Sequence, residues 1–223
     1  MIRLEVPESI RSSRVVAIAR RVPFDRLQGV VEVLTDVGIT VLEVTLDGDD
    51  ALDSIHRLSG GPMTIGAGTV RSIPEAVAAE RAGAEFIVMP HTDADVVRAV
   101  TARGVPVMPG ALTPTEAVTA WNLGASAVKL FPAAFGGPRY LRSLKAPLAD
   151  VSFLPTGGID DSNAAEYLDA GAVAVGVGAW LTGGSDLAVI RERGASLSRS
   201  DRRCGMKVWE NVRGLQSTKA TGA

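Results

Sequence analysis

The sequence contains one cysteine, Cys204, so no disulfide can form within the chain, and a cytoplasmic setting is the expectation. Its two histidines, His56 and His91, lack the closely spaced partners of a zinc-type site, and no metal is expected. Neither histidine belongs to a nucleophile motif with a serine or with Cys204. There is no charge excess either: the net charge is -2 with acids and bases interspersed, which speaks against a nucleic-acid surface and for a small ligand. No apolar leader with a cleavage site precedes the first charged residues. The longest apolar stretch, Ala172 to Leu181, is interrupted by glycine and falls short of the roughly twenty residues that cross a bilayer, so no membrane role is expected. Gly66-Ala-Gly-Thr69 lacks the third glycine of a dinucleotide fingerprint, with Arg71 in that place, and no cofactor is expected.

What is present is a core. With 223 residues, 46% hydrophobic and 22% charged, the chain is expected to form one domain. Eight β-branched runs recur along it: Val15–Ala19, Thr40–Leu46, Met63–Gly66, Glu85–Met89, Val105–Met108, Ala127–Phe131, Val151–Thr156 and Val173–Val177. Between them lie stretches with helical spacing, such as Phe24–Val37, Ile73–Ala82 and Pro114–Leu123. Gly38, Gly83, Gly104, Gly124 and Gly171 each stand just before a strand, where a helix ends most easily on a residue tolerant of positive φ. Alternating βα units predict a parallel sheet, and their number predicts an α/β fold of the single (β/α)8 TIM-barrel type. An open doubly wound sheet shares most of these signals. The expected domain spans residues 1–197, with a short helix before the first strand that uses Ile2, Leu4, Val6 and Ile10 to cover one end. Residues 198–223 read as a loose tail, which Trp209 and Val212 are candidates to anchor.

The most informative residue is Lys129, in the apolar run Ala127-Val-Lys-Leu-Phe131. Burial disfavours an ammonium and yields a nucleophilic amine. A lysine reaching out from a strand end, or silently paired with a carboxylate, explains the same residue equally well. Strand alternation decides more: Ala127, Lys129 and Phe131 share one face, as do Val41, Glu43 and Thr45 in the second strand. Both faces are predicted to point into the barrel. An interior amine beside an interior carboxylate supplies the nucleophile and the proton carrier of Schiff-base chemistry. Glycine-rich turns follow strands seven and eight, at Thr156-Gly157-Gly158 and Gly176-Val-Gly178, where barrels often bind phosphate. Tight turns alone account for the glycines with equal weight.

Together Leu42-Glu-Val-Thr-Leu46, Gly66-Ala-Gly-Thr69, Val128-Lys-Leu-Phe-Pro-Ala133 and Pro155-Thr-Gly-Gly-Ile159 resemble the 2-keto-3-deoxy-6-phosphogluconate (KDPG) aldolase family, from about Val15 to Arg193. The resemblance implies a homotrimer and retro-aldol cleavage of a 2-keto-3-deoxy sugar acid phosphate to pyruvate and glyceraldehyde 3-phosphate. Lys129 forms the Schiff base and Glu43 moves the protons. By the same resemblance Thr69 holds the pyruvate carboxylate, Pro90 and Phe131 line the pocket, and Gly157, Gly158 and Gly178 receive the phosphate. Thr45, on the face of Glu43, completes the substrate-binding set.

Two positions depart from the family pattern. Asp47 stands where the gluconate enzymes carry a carboxylate-binding arginine, and Arg20 resembles the arginine that serves the related phosphogalactonate aldolases. A solvent-facing charge beside Arg21 is the other reading of Arg20. Ala179 stands where the family often has a phosphate-binding serine. These changes leave room for 4-hydroxy-2-oxoglutarate or another 2-keto-4-hydroxy acid as substrate. Two further readings are a barrel isomerase or decarboxylase that uses Lys129 and Glu43 without covalency, and a non-catalytic barrel that binds sugar phosphates.

Overall fold

A computed structural model describes residues 3–184 and 186–199. Cys204, Trp209, Val212, Ile2 and all but the first two residues of the expected tail lie outside the described residues. Those two, 198 and 199, complete a helix over 187–199 (α10), so the expected boundary at 197 falls inside an element.

Strands and helices alternate as expected. In order they are α1 (Glu8–Ser13), β1 (Val15–Ala19), α2 (Phe24–Asp36), β2 (Val41–Thr45), α3 (Ala51–Leu58), β3 (Thr64–Gly68), α4 (Ile73–Ala82), β4 (Phe86–Val88) and α5 (Ala94–Ala102). There follow β5 (Val107–Met108), β6 (Gly110–Ala111), α6 (Pro114–Asn122), β7 (Val128–Leu130), a 3-10 turn at Ala133–Phe135, α7 (Gly137–Lys145), β8 (Phe153–Pro155), α8 (Ala164–Asp169), β9 (Val175–Val177) and α9 (Ala179–Thr182). The five glycines expected at helix ends all take positive φ, between 76° and 104°.

Every strand pairing is parallel, in a curled arrangement of two sheets with the orders β5-β4-β3-β2-β1-β9 and β6-β7-β8. Strand β5 ends at Met108, as its sequence run does, before Pro109, which has no N–H to give to a ladder. A further short strand that the sequence runs did not include, β6, follows at once; β5 pairs with β4 and β6 with β7.

Side chains alternate between two cores. Leu42, Val44, Ile65, Ala67, Val128 and Leu130 face outward, against helix residues such as Leu27, Leu34 and Ile55. Val16, Val41, Phe86, Val88, Met108, Ala127, Leu154 and Ala174 face the interior, and Val6 and Ile10 from the leading segment pack with them. Apolar side chains thus fill one end of the interior, and polar ones are left for the carboxyl ends of the strands.

The turn from β6 into α6 is held by a capping box. The Glu116 amide donates to the Thr113 hydroxyl at 3.3 Å, and the Glu116 carboxylate accepts from the amides of Leu112 and Thr113 at 2.8 Å. The amides of Thr113 and Leu112 hold the Glu116 carboxyl below its ordinary pKa, so this contribution is present above the usual carboxylate range and is lost as pH falls through the lowered value. Thr113→Ala is expected to cost about 1 kcal/mol in chemical denaturation at neutral pH.

Candidate active site

Lys129 is the central residue of β7, and its neighbours Val128 and Leu130 belong to the outer core, so its own side chain enters the interior. Glu43 has the same relation to Leu42 and Val44 in β2. Register pairs Glu43 with Ile18 and Gly66, and Lys129 with Gly110 and Leu154. The two side chains meet with Nζ 3.9 Å from Oε1, at side-chain exposures of 4% for Lys129 and 0% for Glu43. Neither carboxylate oxygen has a hydrogen-bond partner among the described residues. Burying such a group is costly, and the lysine is the counter-charge beside it. The Phe131 ring lies 5.3 Å from Nζ, near enough for its face to favour a cation.

Beside Lys129 opens a cavity of about 330 Å³, bordered also by Arg20, Phe131, Gly157, Gly158 and Gly178. It therefore gathers six of the ten residues singled out from the sequence. Gly157 and Gly158 take φ of 91° and 78°, which a side chain adopts only under strain. The turn geometry thus accounts for these glycines by itself, and the same turn forms the cavity wall.

Thr69 adjoins this group through Arg20, whose guanidinium donates to the Thr69 hydroxyl at 3.3 Å. Thr69 has φ of 59°, a strained setting for a β-branched residue. Arg20 also bonds Asp47 at 2.9 Å, and Arg21 reaches the same carboxylate oxygen at 3.2 Å. Asp47 is therefore an anchor for both arginines. Burial pushes its carboxyl up in pKa, but the Thr45 hydroxyl and the guanidinium groups of Arg20 and Arg21 outweigh this and hold it below the ordinary value. Its contribution to the fold is accordingly present above the usual carboxylate range and is lost as pH falls through the lowered pKa.

Four of the ten do not border the cavity: Glu43 and Thr69 adjoin it through Lys129 and Arg20, whereas Thr45 and Pro90 are turned elsewhere. Thr45 is buried, and its hydroxyl donates to the Ala19 carbonyl at 3.3 Å. Pro90 presents its carbonyl to Gly110, where an added Cβ would lie 2.3 Å from the oxygen. Conversely, Ile18, Thr156, Ile159 and Trp180 border the cavity without having been singled out. The signal for Thr156 was its alternation with the interior residue Leu154 in the run before Gly157.

A parallel α/β fold with a buried amine and carboxylate beside a cavity of this size is the framework of an enzyme that works on a small molecule. The chain belongs to the aldolase family described as KDPG and KHG aldolase, whose sequence model matches residues 6–192. It is 35% identical over 170 residues to the 2-dehydro-3-deoxy-6-phosphogalactonate aldolase of Escherichia coli strain K12, covering 74% of this chain and 83% of that protein. A solved structure described as native KDPGal superposes with a TM-score of 0.82 at 32% identity, covering 86% of this chain and 96% of the other. The KDPG aldolase of Legionella pneumophila, with pyruvate captured at low pH as a covalent carbinolamine intermediate, matches with a TM-score of 0.75 at 28% identity, covering 86% of this chain and 94% of the other. No described helix is long and apolar enough to cross a membrane, and the described residues hold no cluster of metal-ligating side chains.

Proposed function

We propose that the chain is a class I aldolase, an aldehyde-lyase that cleaves a 2-keto-3-deoxy sugar acid 6-phosphate to pyruvate and D-glyceraldehyde 3-phosphate. The observation that carries the reading is the buried contact between Lys129 and Glu43, 3.9 Å apart beside the cavity. The Lys129 ammonium passes a proton to the Glu43 carboxylate, and the neutral amine attacks the C2 ketone to give a carbinolamine, one proton moving from nitrogen to the new hydroxyl. Loss of hydroxide as water, with Glu43 supplying the proton, gives the iminium. Glu43, now a carboxylate, takes the proton of the C4 hydroxyl as the C3–C4 bond breaks, and the electron pair flows into the iminium to form an enamine. After the aldehyde leaves, protonation of C3 and hydrolysis release pyruvate and the free amine.

Arg20 and Thr69 hold the substrate carboxylate at one side of the amine. The turns at Gly157, Gly158 and Gly178 take the phosphate at the other, with the Phe131 ring against the carbon chain. Arg20→Ala is expected to raise KM by about 10- to 100-fold with little change in kcat, the signature of a lost charged hydrogen bond made equally in ground and transition states. Steady-state pyruvate release read by a coupled assay checks it. Ala179 borders the cavity with no hydroxyl to give to phosphate, which favours a second reading as a 4-hydroxy-2-oxoglutarate aldolase. The same assay with phosphorylated gluconate- and galactonate-derived substrates and with 4-hydroxy-2-oxoglutarate separates the two by kcat/KM.

We also read the two sheets as one closed (β/α)8 barrel. Its support is that β5 and β6 flank a single proline in one extended segment, and that a bridge between Thr156 and Gly176 carries the ladder from β8 to β9. Closure sets the carboxyl ends of β2 and β7 across one narrow interior.

A further inference from the structure

Past Thr64, strand β3 gives the interior no side chain. Ile65 and Ala67 face the outer core, and the alternate positions are glycines, Gly66 and Gly68. A Cβ at Gly66 would lie 2.2 Å from the Phe86 ring, which fills the space below. A Cβ at Gly68 would lie 1.9 Å from Glu43 Oε1, 2.5 Å from its carboxyl carbon and 2.6 Å from Cγ. The Glu43 side chain thus lies flat across the bare face of Gly68. Gly68 is not at positive φ, so backbone freedom is not what it supplies. Volume is. Its backbone has little room to retreat, because Gly68 pairs with Thr45 in the ladder and its carbonyl accepts from the Leu46 amide at 2.9 Å. No hydrogen bond among the described residues fixes either oxygen of Glu43, so the walls around the carboxylate and the lysine beside it decide where it sits.

We infer that Gly68 is a positioning residue whose missing side chain seats the Glu43 carboxylate against Lys129. The catalytic consequence rests on the aldolase reading, whereas the seating itself rests on packing. Gly68→Ala is expected to lower kcat by about 100-fold with KM within about twofold, since misplacing an acid/base group by an ångström costs that much. A double-mutant cycle with Glu43→Ala separates seating from general damage. In the Glu43→Ala background there is no carboxylate to displace. Gly68→Ala is then expected to change the residual rate of borohydride trapping of pyruvate by less than about twofold, and to cost little of the Tm that it costs in the wild type.

The inference is overturned if Gly68→Ala is fully active, or if it lowers rate and Tm by the same factors in both backgrounds. If Gly68→Ala alone does not fold, a folded double variant supports the seating and an unfolded one contradicts it. A wild-type protein that traps no pyruvate defeats the aldolase reading instead, and the Tm cycle still decides whether Gly68 seats Glu43.

Discussion

Replacing Lys129 is expected to lower the rate of pyruvate release by about 10⁴-fold or more, the scale on which loss of a covalent nucleophile acts. The informative variant is Lys129→Arg. It keeps a positive charge beside the buried Glu43 carboxylate, 3.9 Å from the present amine, and so retains the electrostatic partner. It cannot supply a neutral nitrogen, because a guanidinium does not deprotonate in a protein. Activity within tenfold of wild type in Lys129→Arg assigns the lysine an electrostatic role and removes the Schiff base. Lys129→Ala is expected to be equally inactive and also less stable, by about 3–5 kcal/mol where the abandoned carboxylate stays charged. Urea unfolding of the two variants separates lost chemistry from lost counter-charge.

Glu43→Gln is the second large effect. The substitution keeps the shape that lies across Gly68 but removes the group that carries protons in dehydration, C–C cleavage and hydrolysis. General acid/base groups of this kind contribute about 10²- to 10⁴-fold, and kcat is expected to fall by that factor with KM nearly unchanged. Glu43→Gln is further expected to form its pyruvate adduct slowly but completely, because Lys129 remains. A kcat loss below tenfold assigns proton transfer to another group, and the Thr156 hydroxyl at the cavity edge becomes the first to test.

Period-two alternation is local, which is why the interior faces of β2 and β7 were legible before any coordinates. Lys129 and Glu43 each stand between outward apolar neighbours in the same strand, and no other strand is needed to read that. Strand β1 and helix α4 have the bounds expected of them for the same reason, since β-branched runs and capped helical spacing are decided within a few residues. Strand β6 was hidden because a proline ordinarily ends a run, and only two residues after Pro109 pair with β7. The seat at Gly68, the shared anchor at Asp47 and the wall formed by Thr156 depend on which residues lie side by side in neighbouring strands. That register is a tertiary property with no local pattern to announce it. Thr45 and Pro90 show the converse. Thr45 was placed in the site by its strand face and Pro90 by the family resemblance, but a hydroxyl turned to the Ala19 carbonyl and a proline whose carbonyl backs onto Gly110 leave neither at the cavity wall.

The roles of Lys129 and Glu43 meet in one covalent intermediate, and trapping it is the most direct measurement. Wild-type protein incubated with pyruvate and borohydride, then digested and read by mass spectrometry, is predicted to carry one reduced pyruvate, on the peptide containing Lys129 and on that side chain. An unmodified Lys129 in protein that still releases pyruvate from substrate, or an adduct confined to another lysine, contradicts the account.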